Sequence, residues 1–435
     1  MRLQVKGSIS RKGKYDLFML ALPLWSFLWP IVASYSFGRG SGVVIIGLLG
    51  IVAISALLKR KKIDKGLLDS WIWFFLMLLS RLPGSSINTV IIDGTMLFLG
   101  WLLSACVSNA DINPKRTLDF LFKIGLFVAV MMLVDMATGL FSNVLFGFYN
   151  EISQIVKHRV THGVSSKSAG IFAFSAMNGG FLICGLGAGI FLRRLKVISA
   201  RQWYAAIVLF TVLILYISKR GFLLDLAIIF LFFKGFNFLI RPEFEVLNIK
   251  RVLSLIVVLF LFSGIYFTQD FVQDSVNNTV TRFVRLTEDD DTLSGRLPLY
   301  QLAVRQFIEH PVRGIGWGNY RALTENYLNQ RSTYETHNVY LQLLCETGIL
   351  GFATFMYAVF NTLLKTIRNY KKSVLGNNCE QECIFGFSLF LQMFFITYCM
   401  SGNPLYDYNF LLLYFSGVAL MNYNPHKSIS IVTGS

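Results

Sequence analysis

The residues best suited to chemistry gather in one stretch late in the chain. Ser294-Gly295-Arg296 leads to His310-Pro311 and then to Gly314-Ile315-Gly316-Trp317-Gly318-Asn319-Tyr320. Thr336-His337-Asn338-Val339-Tyr340-Leu341 and Glu346-Thr347-Gly348-Ile349-Leu350-Gly351-Phe352 follow. A neutral imidazole within hydrogen-bond reach can take the proton of a hydroxyl. The planar fork of an arginine bridges two phosphate oxygens, where lysine acts as a point charge. A carboxylate inside an apolar run, as at Glu346, is either a functional group or half of a buried pair. Aromatics such as Trp317, Tyr320 and Tyr340 can stack on sugar rings or anchor a membrane interface.

Other chemistries lack their parts. There is no P-loop, so nucleotide hydrolysis has no phosphate cradle. The glycine string at 314–319 resembles a dinucleotide loop, but Asn319 replaces its last glycine and no strand precedes it. A tight backbone turn is the better reading, since glycine tolerates positive φ. His158 and His162 have helical metal-binding spacing without a third ligand, and Cys379 and Cys383 lack a second Cys/His pair. No metal or cofactor is expected. Four of the six cysteines lie in apolar runs, where cysteine behaves as a small hydrophobe, and no disulfide framework is expected.

The elements that must position these residues are membrane helices. Of 435 residues, 54% are hydrophobic and only 15% charged, against roughly a quarter in soluble domains. A water-soluble surface cannot be built from so few charges. The net charge of +16 is scattered between apolar runs, which argues against a nucleic-acid partner. A bilayer core of about 30 Å takes about 20 apolar residues per helix. Twelve runs qualify: 15–37, 42–58, 67–82, 87–107, 118–142, 169–192, 201–218, 221–240, 252–268, 338–364, 383–401 and 404–422. Lys and Arg number 25 on one side, against 7 in the short opposite loops and 7 in the one long loop. The bias places both termini, and His426, in the cytoplasm.

The chain thus divides into helices one to nine over 1–268, a large external loop over 269–337, and helices ten to twelve with a cytoplasmic tail over 338–435. An external stretch at 143–168 has helical apolar spacing and lies along the interface. Within the long loop, Ser294 caps a helix with an apolar stripe of Tyr300, Ala303/Val304, Phe307 and Ile308. A second helix runs from Tyr320 to Asn329.

The block from 294 to 352 resembles the C-terminal signature of the O-antigen polymerase and O-antigen ligase superfamily of bacterial membrane proteins. Its hallmark is His337-Asn338 opening a helix that continues as Glu-x-Gly-x-x-Gly from Glu346. Twelve spans with one large external loop near the C-terminal third suit the same superfamily.

The resemblance implies a metal-independent, inverting glycosyltransferase in the cytoplasmic (inner) membrane. The donor is a glycan on undecaprenyl pyrophosphate and the acceptor is a hydroxyl of another glycan. The preferred reading is a polymerase of capsule, exopolysaccharide or O-antigen repeat units. A ligase that moves finished glycan onto lipid A core or another acceptor is the alternative, and a transporter or flippase is a second. Chain-length regulators and flippases are the candidate protein partners. His337 is expected at the first turn of span ten as the general base. Arg220, in the turn Lys219-Arg220-Gly221 between spans seven and eight, and Arg296 would hold the pyrophosphate. Lys219 and Arg285 would widen that basic patch. Asn338, Tyr320 and Glu346 are read as acceptor or structural support, with Glu346 at intramembrane depth and paired to a basic residue of another helix.

Overall fold

The computed structural model describes residues 13–35, 39–59, 64–81, 84–107, 114–141, 170–172, 174–217, 220–240, 296–327 and 335–423. The expected span at 252–268, the interfacial stretch at 143–168, Lys219 and Arg285 lie outside these residues. The described residues form helices and no strand. They are α1 (Gly13–Tyr35), α2 (Arg39–Lys59), α3 (Lys65–Ser80), α4 (Ile87–Val107), α5 (Pro114–Thr138), α6 (Ser175–Arg194), α7 (Ala200–Ile217) and α8 (Arg220–Ile240). Then come α9 (Leu297–Glu309), α10 (Tyr320–Tyr327), α11 (Val339–Leu375), α12 (Cys379–Tyr398) and α13 (Tyr408–Leu420).

Among the described residues, seven helices are long and apolar enough to cross a membrane: α4, α5, α6, α7, α8, α11 and α12. Shorter apolar segments lie in α1, α2 and α13. The protein is an all-α polytopic membrane protein. Caps set several starts. The Asp64 carboxylate accepts from Gly66 and Leu67 N–H to open α3, and Asn378 accepts from Gln381 N–H to open α12.

Helix α3 runs antiparallel to α11. Lys365 Nζ donates to the Gly66 carbonyl at 2.6 Å, Asn361 Nδ2 to Ser70 Oγ at 2.7 Å, and Phe355 packs on Trp71 and Phe74. This register puts Lys365 at one pole of the bundle and the C-terminal end of α3 at the other. The first pole is basic and holds the ion pairs Arg194–Glu382 at 2.7 Å and Lys115–Glu380 at 3.0 Å. Helices α5 and α6 approach so closely that a Cβ at Gly125 would lie 2.8 Å from the Cα of Gly185. Phe222 of α8, Phe394 and Tyr398 of α12, and Phe410 of α13 form one aromatic cluster. That cluster brings the start of α8, the end of α12 and the start of α13 together at the opposite pole.

Two expectations need correction. The run 338–364 reads as one span, yet α11 extends to Leu375 and breaks at Gly348, where φ is 68° and ψ is −172°. The break comes from tertiary contact. The Ile349 N–H donates to the Pro311 carbonyl at 2.8 Å, and the Val312 carbonyl occupies the space of a Gly348 Cβ. Both halves are apolar, so hydropathy cannot reveal the join. Helix α9 is also rotated from the expected stripe. It buries Leu299, Leu302 and Ala303 against Tyr320 and Cys345, while Val304 and Ile308 are exposed.

Candidate functional site

The turn after α12 organises the pole opposite the basic one. It winds tightly: Ser401 N–H and Gly402 N–H both donate to the Tyr398 carbonyl, at 3.0 and 2.8 Å. Three of the expected site residues reach this turn from different parts of the chain. Arg296, half-buried at the start of α9, donates from Nη1 to the Ser401 carbonyl at 3.4 Å. Arg220 opens α8, and its neighbour Gly221 lies so close to the turn that a Cβ there would be 2.6 Å from Ser401 Oγ. The segment carrying His337 runs alongside. Before it, Glu335 accepts a hydrogen bond from Asn403 Nδ2; after it, Val339 N–H donates to the Cys399 carbonyl at 2.9 Å.

His337 itself is exposed between buried Thr336 and Val339, with φ of 54°. A left-handed backbone is uncommon for residues other than glycine, and such strain concentrates at functional sites. The expected position on the first helical turn is off by one residue. Asn338 is the N-cap, its side chain accepting from Tyr340 and Leu341 N–H at 3.1 and 3.2 Å, so His337 precedes the helix. Thr336 locks the approach through its Oγ, which donates to the Asn338 carbonyl at 2.7 Å and accepts from Asn338 N–H at 3.1 Å.

Glu346 lies wholly buried on the short helical piece before Gly348. Its expected basic partner is absent among the described residues. Neutral donors hold it instead: Tyr406 Oη at 2.7 Å, Gln342 Nε2 at 3.2 Å, Tyr320 N–H at 3.3 Å and the Gly318 N–H. A buried carboxylate needs its lone pairs satisfied, and this cage supplies the donors without a cation. Glu346 precedes the break, beside Gly314, at the pole where α3 ends.

The glycine string is a turn that wraps this carboxylate. Gly314, Gly316 and Gly318 have φ of 66°, 101° and 79°. Ile315 and Gly316 N–H donate to the Cys345 and Glu346 carbonyls at 3.0 and 2.9 Å. Asn319 Nδ2 donates to the Gly84 carbonyl at 2.6 Å, and Trp317 N–H to Ser85 Oγ at 3.0 Å. The loop therefore clasps the α3–α4 connection. Tyr320 and Trp317 are buried, and Tyr320 Oη donates to the Leu299 carbonyl at 2.7 Å. Burial holds the Tyr320 phenol well above its usual pKa. Neither ring is open for sugar stacking. Tyr340 is likewise tied, through its hydroxyl, to the Ile396 carbonyl at 2.8 Å. His310 is the C-cap of α9, its carbonyl accepting from Gly314 N–H.

Sequence reasoning missed a second polar layer beneath the turn. Arg321 pairs with Glu335 and lies 6.0 Å from the Tyr406 ring centroid. Tyr408 Oη donates to buried Asp93, whose second oxygen has no partner among the described residues. Asp225, Ser401 and Asn403 also carry buried polar atoms without one. Asp93 left a signal, a carboxylate inside the fourth apolar run. Asn403 and Tyr406 left none, since their importance arises only once the helix ends meet. Among the described residues no three His, Cys, Asp or Glu side chains group as metal ligands.

Residues 205–356 match the family model of the O-antigen ligase. Over this segment, about a third of the chain, the protein is similar to that family, which supports the resemblance to the O-antigen ligase and polymerase superfamily. This family segment runs from α7 into α11 and contains Arg220, Arg296, His337 and Glu346. The Ser401 turn that joins them lies beyond it. A comparison with curated proteins gave no match.

Proposed function

We propose that the protein transfers a glycan from a polyprenyl pyrophosphate to a hydroxyl of a second glycan, and that it acts as a polymerase of lipid-linked repeat units. The observation that carries this reading is the convergence of the Arg220 helix start, Arg296 and the His337 segment on Cys399–Asn403.

The chemistry is a single displacement. His337 takes the proton of the acceptor hydroxyl as its oxygen bonds the anomeric carbon. The bond from that carbon to the pyrophosphate oxygen breaks, and the carrier leaves as polyprenyl pyrophosphate with the electron pair. Arg220 and Arg296 would supply positive charge before the leaving group's charge develops, which is the condition for its electrostatic stabilisation. One displacement inverts the anomeric centre. The donor brings its own activated leaving group, so no metal or nucleotide is required.

A ligase would use the same site with a different acceptor. The size distribution of lipid-linked and surface glycan in the native host separates the readings, comparing wild type with His337→Ala. Single repeat units without a ladder in the variant mean a polymerase. A full ladder stranded on the carrier means a ligase. Identical profiles would overturn the transferase reading and return the transporter reading to the front.

A further inference from the structure

Helix α9 has three sectors, where a helix packed on a bundle and washed by water has two, one apolar and one polar. Leu299, Leu302 and Ala303 face inward, against Tyr320 and Cys345. Gln301, Arg305 and Glu309 recur every four residues as an exposed polar edge, along which Arg305 Nε donates to Glu309 Oε1 at 2.9 Å. The third sector is apolar and faces outward. It consists of Leu297, Val304 and Ile308, at i, i+7 and i+11, all exposed and Ile308 to 69%.

The outward sector continues the lipid-facing side of α11. Beyond its break, α11 turns Phe355, Ala358 and Thr362 into the bundle and leaves Leu350, Tyr357, Phe360 and Leu364 exposed. On a membrane-spanning helix such an outer stripe meets acyl chains. The stripe reaches the break at exposed Ile349, whose N–H donates to the Pro311 carbonyl at 2.8 Å. Next to Pro311, Val312 is 52% exposed, and Ile308 lies four residues before it. Exposed apolar side chains thus run from Leu364 up α11, across the junction of Gly348 with the 311–314 turn, and along α9 to Leu297.

We infer that α9 lies in the membrane interface at this pole, with Leu297, Val304, Ile308 and Val312 among the acyl chains and Gln301, Arg305 and Glu309 toward water. The occupant of the outward sector is lipid and not protein. Its side chains are aliphatic and continue a lipid-facing surface, whereas protein hot spots are enriched in Trp, Tyr and Arg and poor in Leu and Val. An in-plane helix sinks its apolar face about 5–10 Å into the boundary between headgroups and acyl chains. Arg296 is the N-cap of α9 and contacts the Ser401 carbonyl. The seat therefore sets the depth of that guanidinium, and of the turn beside His337, at the level of lipid headgroups. It does so whichever reaction runs there, so the inference stands apart from the transferase reading.

The test uses the full chain in nanodiscs of phosphatidylethanolamine and phosphatidylglycerol. A small apolar diazirine dissolved in the bilayer is photolysed with the unmodified protein, and the labelled peptides are mapped. Labelling of α9 together with the outer stripe of α11 supports the inference. Labelling of α11 with none on α9 overturns it without relying on any variant.

Spin labels in the same discs then resolve the sectors. Cys379 is exposed and the other five cysteines are buried, so Cys379→Ser gives a background for single labels at Gln301→Cys, Val304→Cys, Ile308→Cys and Glu309→Cys. Collision with oxygen, which concentrates in lipid, and with a water-soluble nickel chelate gives the depth of each label. Labels at Val304→Cys and Ile308→Cys should read about 5–10 Å below the phosphates. Leu364→Cys, on α11, is the reference for lipid contact, and Gln301→Cys and Glu309→Cys should read as aqueous. Equal nickel access at all four α9 positions would put the outward sector in water and overturn the inference. Low access to both reagents at Val304→Cys and Ile308→Cys would mean that a second copy or another protein covers the sector, and would overturn it too.

Discussion

The Val339 N–H donates to the Cys399 carbonyl over 2.9 Å, tying the start of α11 to the end of α12 directly beside His337. The two bonded residues are separated in sequence by the whole of α11 and α12. It fixes the height of the histidine against the turn that Arg296 also contacts.

The first prediction concerns His337. His337→Ala should insert and fold as wild type and lose transfer, because the side chain is exposed and makes no part of the core. A loss of about 10²–10⁴-fold is the scale for a general base. His337→Asn tolerates the φ of 54° better than alanine does, so it separates backbone strain from lost base. The check is the rate of glycan transfer in purified protein alongside thermal unfolding. Recovery of activity in His337→Asn would assign the residue to backbone geometry and remove it as a base.

The arginines should behave differently from the histidine. Arg296→Ala removes a contact to the Ser401 carbonyl and a charge facing the proposed pyrophosphate. Transfer should fall about 10²–10³-fold, the cost of one preorganised charge-stabilising donor. Arg296→Lys should recover part of this, since it restores charge without the bidentate fork. Arg220→Ala should act in the same direction, chiefly on donor use. Donor KM and kcat measured separately are the readout, and unchanged values in both alanine variants would dissociate the arginines from the donor.

Much of this arrangement was legible in the residues. Composition announced a polytopic all-α membrane protein, and the block from Arg296 to Glu346 supplies residues that the fold brings to one pole. The hub was not legible. Ser401 and Asn403 sit in an ordinary turn outside the block and matter only because α8, α11 and α12 end beside them. Gly348 looked like one residue of a continuous span, since hydropathy reports apolarity and not backbone direction. The cage around Glu346 was misjudged for a related reason. A carboxylate in an apolar run suggests a cationic partner, yet Tyr406, Gln342, Tyr320 and Gly318 supply donors without one.

That cage makes a stability prediction. Glu346→Ala leaves Tyr406 Oη, Gln342 Nε2 and Tyr320 N–H without their acceptor in a buried site. Each stranded group costs about 1–3 kcal/mol, so the variant should be strongly destabilised. Tyr406→Phe removes a single bond and should cost about 1–3 kcal/mol. Glu346→Gln keeps the shape and should fall between. Thermal unfolding in detergent ranks them, and a Glu346→Ala protein as stable as wild type would show that the loop does not depend on the carboxylate.

The last prediction tests the break in α11. Gly348 has φ of 68°, and the Val312 carbonyl stands where a Cβ would be. Alanine there is both strained and obstructed, so α11 must either straighten or push the 311–314 turn away. Both outcomes pull Ile349 N–H from the Pro311 carbonyl and disturb the loop that holds Trp317 and Glu346. Gly348→Ala should therefore cost about 1–3 kcal/mol of stability, the scale for a residue forced into a sparse backbone region. Transfer should fall with it, because the same loop sets His337. Gly47→Ala is the matched control. Gly47 lies within α2 with nothing within 4 Å of its Cβ position, and alanine there should stabilise the helix by about 0.5–1 kcal/mol. Equal melting temperatures and equal transfer in the two variants would mean that α11 is free to run straight, and that the break at Gly348 does not hold the site.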